Sequence, residues 1–272
     1  MCLILTAWHA HPDYALVVAA NRDEFYERPA DALDWWDDAP DILAGRDRAA
    51  VNGASGTWLG LAQGGQGGRF AALTNYRAPS EKRTDARSRG ELVRGFLASD
   101  EQPDAYLHDL RPRQGVYNGF NLLVSDLKSL WWYSNRAAGG LPQRLQAGVY
   151  GLSNALLDTP WPKVRSRVAA FAEALAADTG RRHASLSSYL TLLADTRQPT
   201  DDALPETGVS LEWERVLSSA FIQSPRYGTR ASTVLRVRHD GSFEMLERSF
   251  DASGCIGERH ESGVLRHSSE TA

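Results

Sequence analysis

Residues 2–25 read Cys2-Leu3-Ile4-Leu5-Thr6-Ala7-Trp8-His9-Ala10-His11-Pro12-Asp13-Tyr14-Ala15-Leu16-Val17-Val18-Ala19-Ala20-Asn21-Arg22-Asp23-Glu24-Phe25, and they decide the fold. Residues 2–8 are apolar and rich in leucine and isoleucine; residues 14–20 form a nearly continuous apolar run. Between them Pro12 supplies a fixed φ for a turn. The pattern predicts a hairpin whose second strand is buried on both faces. Four polar residues, Asn21 to Glu24, then follow the most apolar stretch of the region, an abrupt change.

Hairpins recur outward from this start. Residues 57–62 and 69–75 predict a second strand pair across the glycine-rich 64–68 loop. That loop lacks the strand-helix setting and the Lys-Ser/Thr of a phosphate cradle, and reads as a hairpin tip. Residues 120–124 and 130–133 flank a polar turn, and 146–152 form a further strand ending at Ser153-Asn154. Residues 231–238 and 243–250 flank Asp240-Gly241, a strong turn signal. Residues 29–56, punctuated by Pro29, Pro40, Gly45, Gly53 and Gly56, read as loop.

Helices fall in the middle of the chain. Ser88-x-x-Glu91 has the spacing of a capping box ahead of an apolar face through Leu97. Thr159-Pro160 offers a cap and first-turn proline for a helix with Trp161, Val164, Val168, Phe171 and Leu175 on one face. Leu186, Tyr189, Leu190 and Leu193 mark another. With roughly eight or nine strands and no strict β-α-β alternation, antiparallel sheet layers covered by helices are expected. One domain over residues 1–257 is the economical division, with the polar stretch 258–272 expected to be a disordered tail.

The 272 residues are 42% hydrophobic and 24% charged, an ordinary globular composition. A net charge of −4 gives no electrostatic footprint for nucleic acid. No apolar run is long enough to span a bilayer and no basic segment precedes an apolar leader, so a soluble, cytoplasmic protein is expected. The two cysteines, Cys2 and Cys255, supply neither a disulfide framework nor zinc-ligand spacing. Position two is informative for another reason. Removal of Met1, favoured before a small residue, leaves the Cys2 thiol beside its own α-amine, whose ordinary pKa of about 7.7–8.0 suits a base at neutral pH.

Met1-Cys2-Leu3-Ile4, Asn21-Arg22-Asp23-Glu24-Phe25 and Gly56-Thr57-Trp58-Leu59-Gly60 together resemble the NRDE family, that of transport and Golgi organisation protein 2. Leu73-Thr74-Asn75-Tyr76-Arg77, Gly119-Phe120-Asn121-Leu122, Gly151-Leu152-Ser153-Asn154 and Tyr227-Gly228-Thr229-Arg230 continue the match in order, so it covers about residues 1–250. The family is in turn similar to the cysteine-type N-terminal-nucleophile hydrolases, the choloylglycine hydrolases and penicillin V acylases. That resemblance implies an α+β fold, a four-layer α-β-β-α sandwich of two antiparallel sheets between helices. It implies Cys2 as nucleophile, Asp23 as holder of its amino group and Asn75 as an oxyanion donor. Asn154 corresponds to a second asparagine of the site and Arg230 to an arginine near the last strands. Asn21, Arg22 and Trp58 fall to substrate binding or to the architecture around it.

One position departs from the hydrolases. Their arginine immediately before the asparagine that aligns with Asn21 is Ala20 here. Arg22, two positions on in an extended segment, projects toward the same face and is expected to substitute. The resemblance implies hydrolysis of a non-peptide amide bond through an acyl-Cys2 intermediate, with a small-molecule amide or acyl ligand and no cofactor. Its alternative is a non-enzymatic haem or acyl-lipid carrier on the same scaffold. His9 and His11, a His-x-His pair near the N-terminus, keep the haem version open; exposed turn histidines are the simpler expectation.

Overall fold

The opening hairpin forms and becomes the middle of a sheet: β1 (Cys2–His11) pairs antiparallel with β2 (Tyr14–Phe25). The structure is a computed structural model that describes residues 2–49, 55–64, 67–181 and 186–265. After the hairpin come β3 (Ala30–Trp36), β4 (Ala39–Asp47), β5 (Leu59–Gly64) and β6 (Gly67–Asn75). Helices α1 (Gly90–Leu97) and α2 (Pro103–Leu110) precede β7 (Phe120–Ser125), β8 (Leu130–Ser134), β9 (Gln143–Leu145) and β10 (Gly148–Leu152). Then follow α3 (Pro162–Ala177), α4 (Ser187–Leu193) and the short α5 (Leu211–Val216). The last strands are β11 (Tyr227–Arg238), β12 (Ser242–Asp251) and β13 (Gly254–Val264).

These strands make two sheets, ordered β10-β1-β2-β11-β12-β13 and β3-β4-β5-β6-β7-β8-β9. Every strand pair in them is antiparallel. The chain is therefore an α+β protein with two antiparallel sheets. Side-chain alternation sorts each strand between two apolar clusters. Ile4, Leu16 and Val18 of the first sheet meet Leu61, Phe70 and Leu123 of the second in one cluster between the sheets. The opposite face of β1 and β2, with Leu3, Leu5 and Val17, packs on Val164, Phe171 and Leu190 of α3 and α4. Ala71, Leu122 and Val124 of the second sheet pack on Leu92, Phe96 and Leu107 of α1 and α2. Burial of this apolar area, at about 25 cal/mol per Å², holds the layers together. Among the described residues no helix is long and apolar enough to cross a membrane.

Three expectations need correction, and one strand runs on past the apolar run that marks it. Residues 29–56, read as loop, contain β3 and β4; register shifts between Asp31 and Asp34 and between Trp35 and Trp36 break the alternation that marks a strand. Residues 50–54 of that stretch lie outside the described residues. The stretch 258–264, expected to be disordered, is the outer part of β13, paired residue by residue with β12. As an edge strand it is mostly exposed, so it shows no apolar pattern; 266–272 lie outside the described residues. The Asn21-Arg22-Asp23-Glu24 quartet is the last part of β2, fully paired with β11. Finally, α1 and α3 begin later than their cap signals, at Gly90 and Pro162, and neither helix has a side-chain cap.

Candidate active site

Cys2 is the first residue of β1 and stands opposite Arg22 in the β1–β2 register. Two positions before Ile4, its side chain points into the layer between the sheets, as does that of Arg22, two positions after Ala20. Arg22 therefore does share the face of Ala20. At this end the sheets part into a cleft of about 680 Å³ whose lining includes Cys2, Arg22, Asp23, Trp58, Asn75 and Arg89.

Asp23, the next residue of β2, lines the same cleft as Cys2 and acts on it electrostatically. Asp23 is 1% exposed; its Oδ1 accepts from Thr229 Oγ1 at 2.7 Å, and its carbonyl accepts from the Tyr227 hydroxyl at 3.0 Å. Burial pushes the Asp23 carboxyl up, against the pull of the positive Lys163. Lys163, in the first turn of α3, is 5% exposed and donates Nζ to the Leu217 carbonyl at 2.8 Å. Burial brings it down to about 8, opposed by the negative charge of Asp23. The Cys2 thiol is pushed up by burial and by Asp23, and drawn down by Arg22 and a backbone hydrogen bond from Asp23. The net rise favours the thiol over the thiolate, the form that a neighbouring base would convert for nucleophilic chemistry.

Arg22 is buried and its guanidinium lies 4.3 Å from the centroid of the Trp58 ring, a cation–π stack. Its Nη2 reaches Asp47 Oδ2 at 3.5 Å, and Arg28 Nε donates to that oxygen at 2.9 Å. Gly45 makes the stack possible, since a Cβ there would lie 2.3 Å from Trp58 Cη2. Asn21, one residue earlier, faces away from the cleft. Its Nδ2 donates to the carbonyls of Leu193 and Ala220 at 2.9 and 2.8 Å, and its Oδ1 accepts from Ser232 Oγ at 2.6 Å. Strand alternation thus divides the quartet: Arg22 serves the cleft while Asn21 ties the first sheet to the segments covering it.

Ser153 and Asn154, just after β10, clasp the two sheets at the cleft. Ser153 Oγ donates to the Cys2 carbonyl at 3.0 Å and Asn154 Nδ2 to the Asn75 carbonyl at 2.8 Å. The Arg77 backbone N–H donates back to the Asn154 carbonyl at 2.7 Å. Asn75, the last residue of β6, lines the cleft, whereas Asn154 acts on it from behind.

Arg230 stands elsewhere. It is the extra residue of a bulge between Thr229 and Ala231. Its Nη1 donates to the carbonyls of Phe25, Tyr26 and Arg28 and its Nε to that of Phe250. It lines a second hollow that also borders Arg22 and Trp58, but not the Cys2 cleft. The histidines are remote from the cleft lining too: His9 stacks on His239, and His11 bonds the Asp178 carbonyl. Cys255 is exposed on β13.

Sequence reasoning missed Lys163, Arg89 and Gly45. That Lys163 is one of only three lysines was its sole signal. Arg89 sat unnoticed inside a supposed capping box, and Gly45 inside a supposed loop.

A sequence profile of the family described as Transport and Golgi organisation 2 matches residues 1–252. The chain is 40% identical over 266 residues to a Transport and Golgi organization protein 2 homolog of Bos taurus, covering 92% of this chain and 93% of that protein. It is 37% identical over 264 residues to the Homo sapiens homolog, covering 92% and 93%. To the Drosophila melanogaster Transport and Golgi organization protein 2 it is 25% identical over 279 residues, covering 97% of each.

Proposed function

The chain belongs to the Transport and Golgi organisation 2 family, and on that premise we propose that it is a cysteine N-terminal-nucleophile amidohydrolase acting on a non-peptide amide. The observation that carries this is the β1–β2 register, which pairs Cys2 with Arg22 at the cleft, together with Asp23, the next residue of β2, in the lining of that cleft. The two antiparallel sheets with helices on their outer faces support the corresponding four-layer α-β-β-α fold.

Removal of Met1 frees the Cys2 α-amine, which Asp23 orients by a charge-assisted hydrogen bond. The amine takes the Sγ proton, and the thiolate attacks the amide carbonyl carbon, pushing the electron pair onto oxygen. Asn75 Nδ2 donates to that oxyanion, a contribution of about 3–4 kcal/mol when the donor is preorganised. Asn154 and Ser153 keep Asn75 and Cys2 in register across the two sheets. Collapse breaks the C–N bond, the α-ammonium returns its proton to the leaving amine, and an acyl-Cys2 thioester remains. Water gives a proton to the same amine and attacks the thioester carbonyl; collapse breaks the C–S bond, the Cys2 thiolate leaves and takes the proton back from the α-ammonium, and a carboxylic acid is released.

The test is intact-mass spectrometry of the mature protein after exposure to a panel of acyl-amides, with Cys2→Ala alongside. A Cys2-dependent acyl adduct or turnover is expected; neither, across the panel, counts against the proposal.

A further inference from the structure

The charges around Cys2 do not cancel pairwise. Within the cleft lining, Asp47 is engaged by Arg28 at 2.9 Å, and Glu91 by Arg87 at 2.8 Å and by the Tyr117 hydroxyl. Asp85 pairs with Arg83 at 2.9 Å. Arg89 differs: its Nη1 donates to the Gly119 carbonyl at 3.0 Å, and among the described residues no carboxylate lies within ion-pair distance of its guanidinium. Burial lowers its affinity for its proton, while Cys2 and, after it, Glu24 act in the opposite sense; Glu24 also lines the cleft but has its ion pair with Arg28, at 3.9 Å.

Arg89 is held on a firm wall. Gly56 and Gly90 touch backbone to backbone, since a Cβ on Gly56 would lie 2.7 Å from the Gly90 carbonyl carbon. The Thr57 N–H also donates to the Gly90 carbonyl at 3.2 Å. Both glycines are needed to bring the chain at 88–90 up to Trp58 and hence to Arg22. Arg22 is committed to its Trp58 stack, with Asp47 only at 3.5 Å. The cleft therefore offers a planar guanidinium fork at Arg89, one of whose N–H donors is engaged among the described residues, in a partly desolvated place where an unpaired charge is costly.

We propose that Arg89 is the specificity-determining residue of this site and binds a carboxylate on the substrate, so that the amides cleaved at Cys2 are acidic ones. A guanidinium fork matches a carboxylate in two parallel N–H···O bonds, which a neutral amide does not supply. This deepens, and rests on, the placement of Cys2 as an acyl-accepting nucleophile in the same cleft.

The test is alkylation rather than hydrolysis, so that it succeeds or fails independently of turnover. In each reaction the Cys2 thiolate displaces iodide from the reagent, and iodoacetate and iodoacetamide differ essentially in charge. Rates at Cys2 are followed by intact mass in a Cys255→Ser background, because Cys255 is exposed. Both reagents sense the same thiolate fraction, so their rate ratio reports recognition of the carboxylate. Arg89→Gln keeps a donor for the Gly119 carbonyl without the charge, and is expected to lower the iodoacetate-to-iodoacetamide ratio about tenfold, the scale of one charge-assisted hydrogen bond. Arg89→Lys, which keeps the charge, retains most of the ratio. An unchanged ratio in a folded Arg89→Gln protein overturns the proposal, as does an equal loss in both variants. Absence of amide turnover with the ratio effect intact would refute the hydrolase assignment while leaving the carboxylate site standing.

Discussion

Cys2 and Arg22 stand opposite each other at the open end of the β1–β2 hairpin, both on the face between the two sheets. From that pairing follow the thiol and the guanidinium in one cleft, with Asp23, the next residue of β2, in the same lining. The remaining site features are supports: Trp58 beneath Arg22, Ser153 and Asn154 across the sheet seam, Lys163 behind Asp23.

Asp23 carries a function–stability conflict. Burial raises its carboxyl, so the folded protein binds that proton more tightly than the unfolded chain. Its stabilising contribution is present at acid pH and is lost as pH rises through the folded value. Asp23→Asn is neutral throughout, so its stability relative to wild type, measured by urea denaturation, grows as pH rises above the ordinary carboxylate value toward the raised one in the fold. Acylation of Cys2 falls about 10- to 100-fold in the same variant, the worth of one charged hydrogen bond.

Lys163 gives the opposite sign. It titrates at about 8 in the fold, against about 10.4 for lysine in an unfolded chain. Between those values the unfolded chain holds the proton and the folded protein does not, so this residue makes stability rise with pH and fall again as pH drops through about 8. In Lys163→Met that rise disappears. Urea denaturation at about pH 7.5 and 9.5 should show wild type gaining on the variant at the higher pH.

Gly45→Ala tests the Trp58 platform. The new Cβ meets the indole at 2.3 Å, so Trp58 must move and Arg22 loses its stack. Overpacking of this kind costs about 1–3 kcal/mol, read as a lower urea midpoint at unchanged slope. Cys2 alkylation by iodoacetamide slows with it, because Arg22 no longer favours the thiolate.

Arg230→Met separates scaffold from site. Four backbone carbonyls lose their donor, so a stability loss of about 1–3 kcal/mol is expected, with Cys2 alkylation in the folded protein unchanged. Slower alkylation at undiminished stability would instead give Arg230 a part in the chemistry.

What the sequence disclosed, and what it concealed, divides along burial. The hairpin at 2–25 was legible because both its strands lie in the core and write apolar runs. The strands β3 and β13 were not: one breaks its alternation at register shifts, the other is a largely exposed edge. Motifs singled out Cys2, Asp23 and Asn75, which line one cleft, yet single residues carry no mark of what they will touch. Arg230 is spent on carbonyls at a bulge, which a linear motif does not encode. Lys163 and Arg89 acquire their importance only from burial opposite Asp23 and beside Cys2, a product of packing between distant segments.

The central claim is that the Cys2 α-amine is the base. Its most direct test is the mass of the mature N-terminus, read by intact and peptide mass spectrometry on protein purified from its own host. The account predicts a chain that begins at Cys2 with a free amine. A population that retains Met1 and still forms Cys2 acyl adducts would contradict it, because an amide nitrogen cannot take the thiol proton.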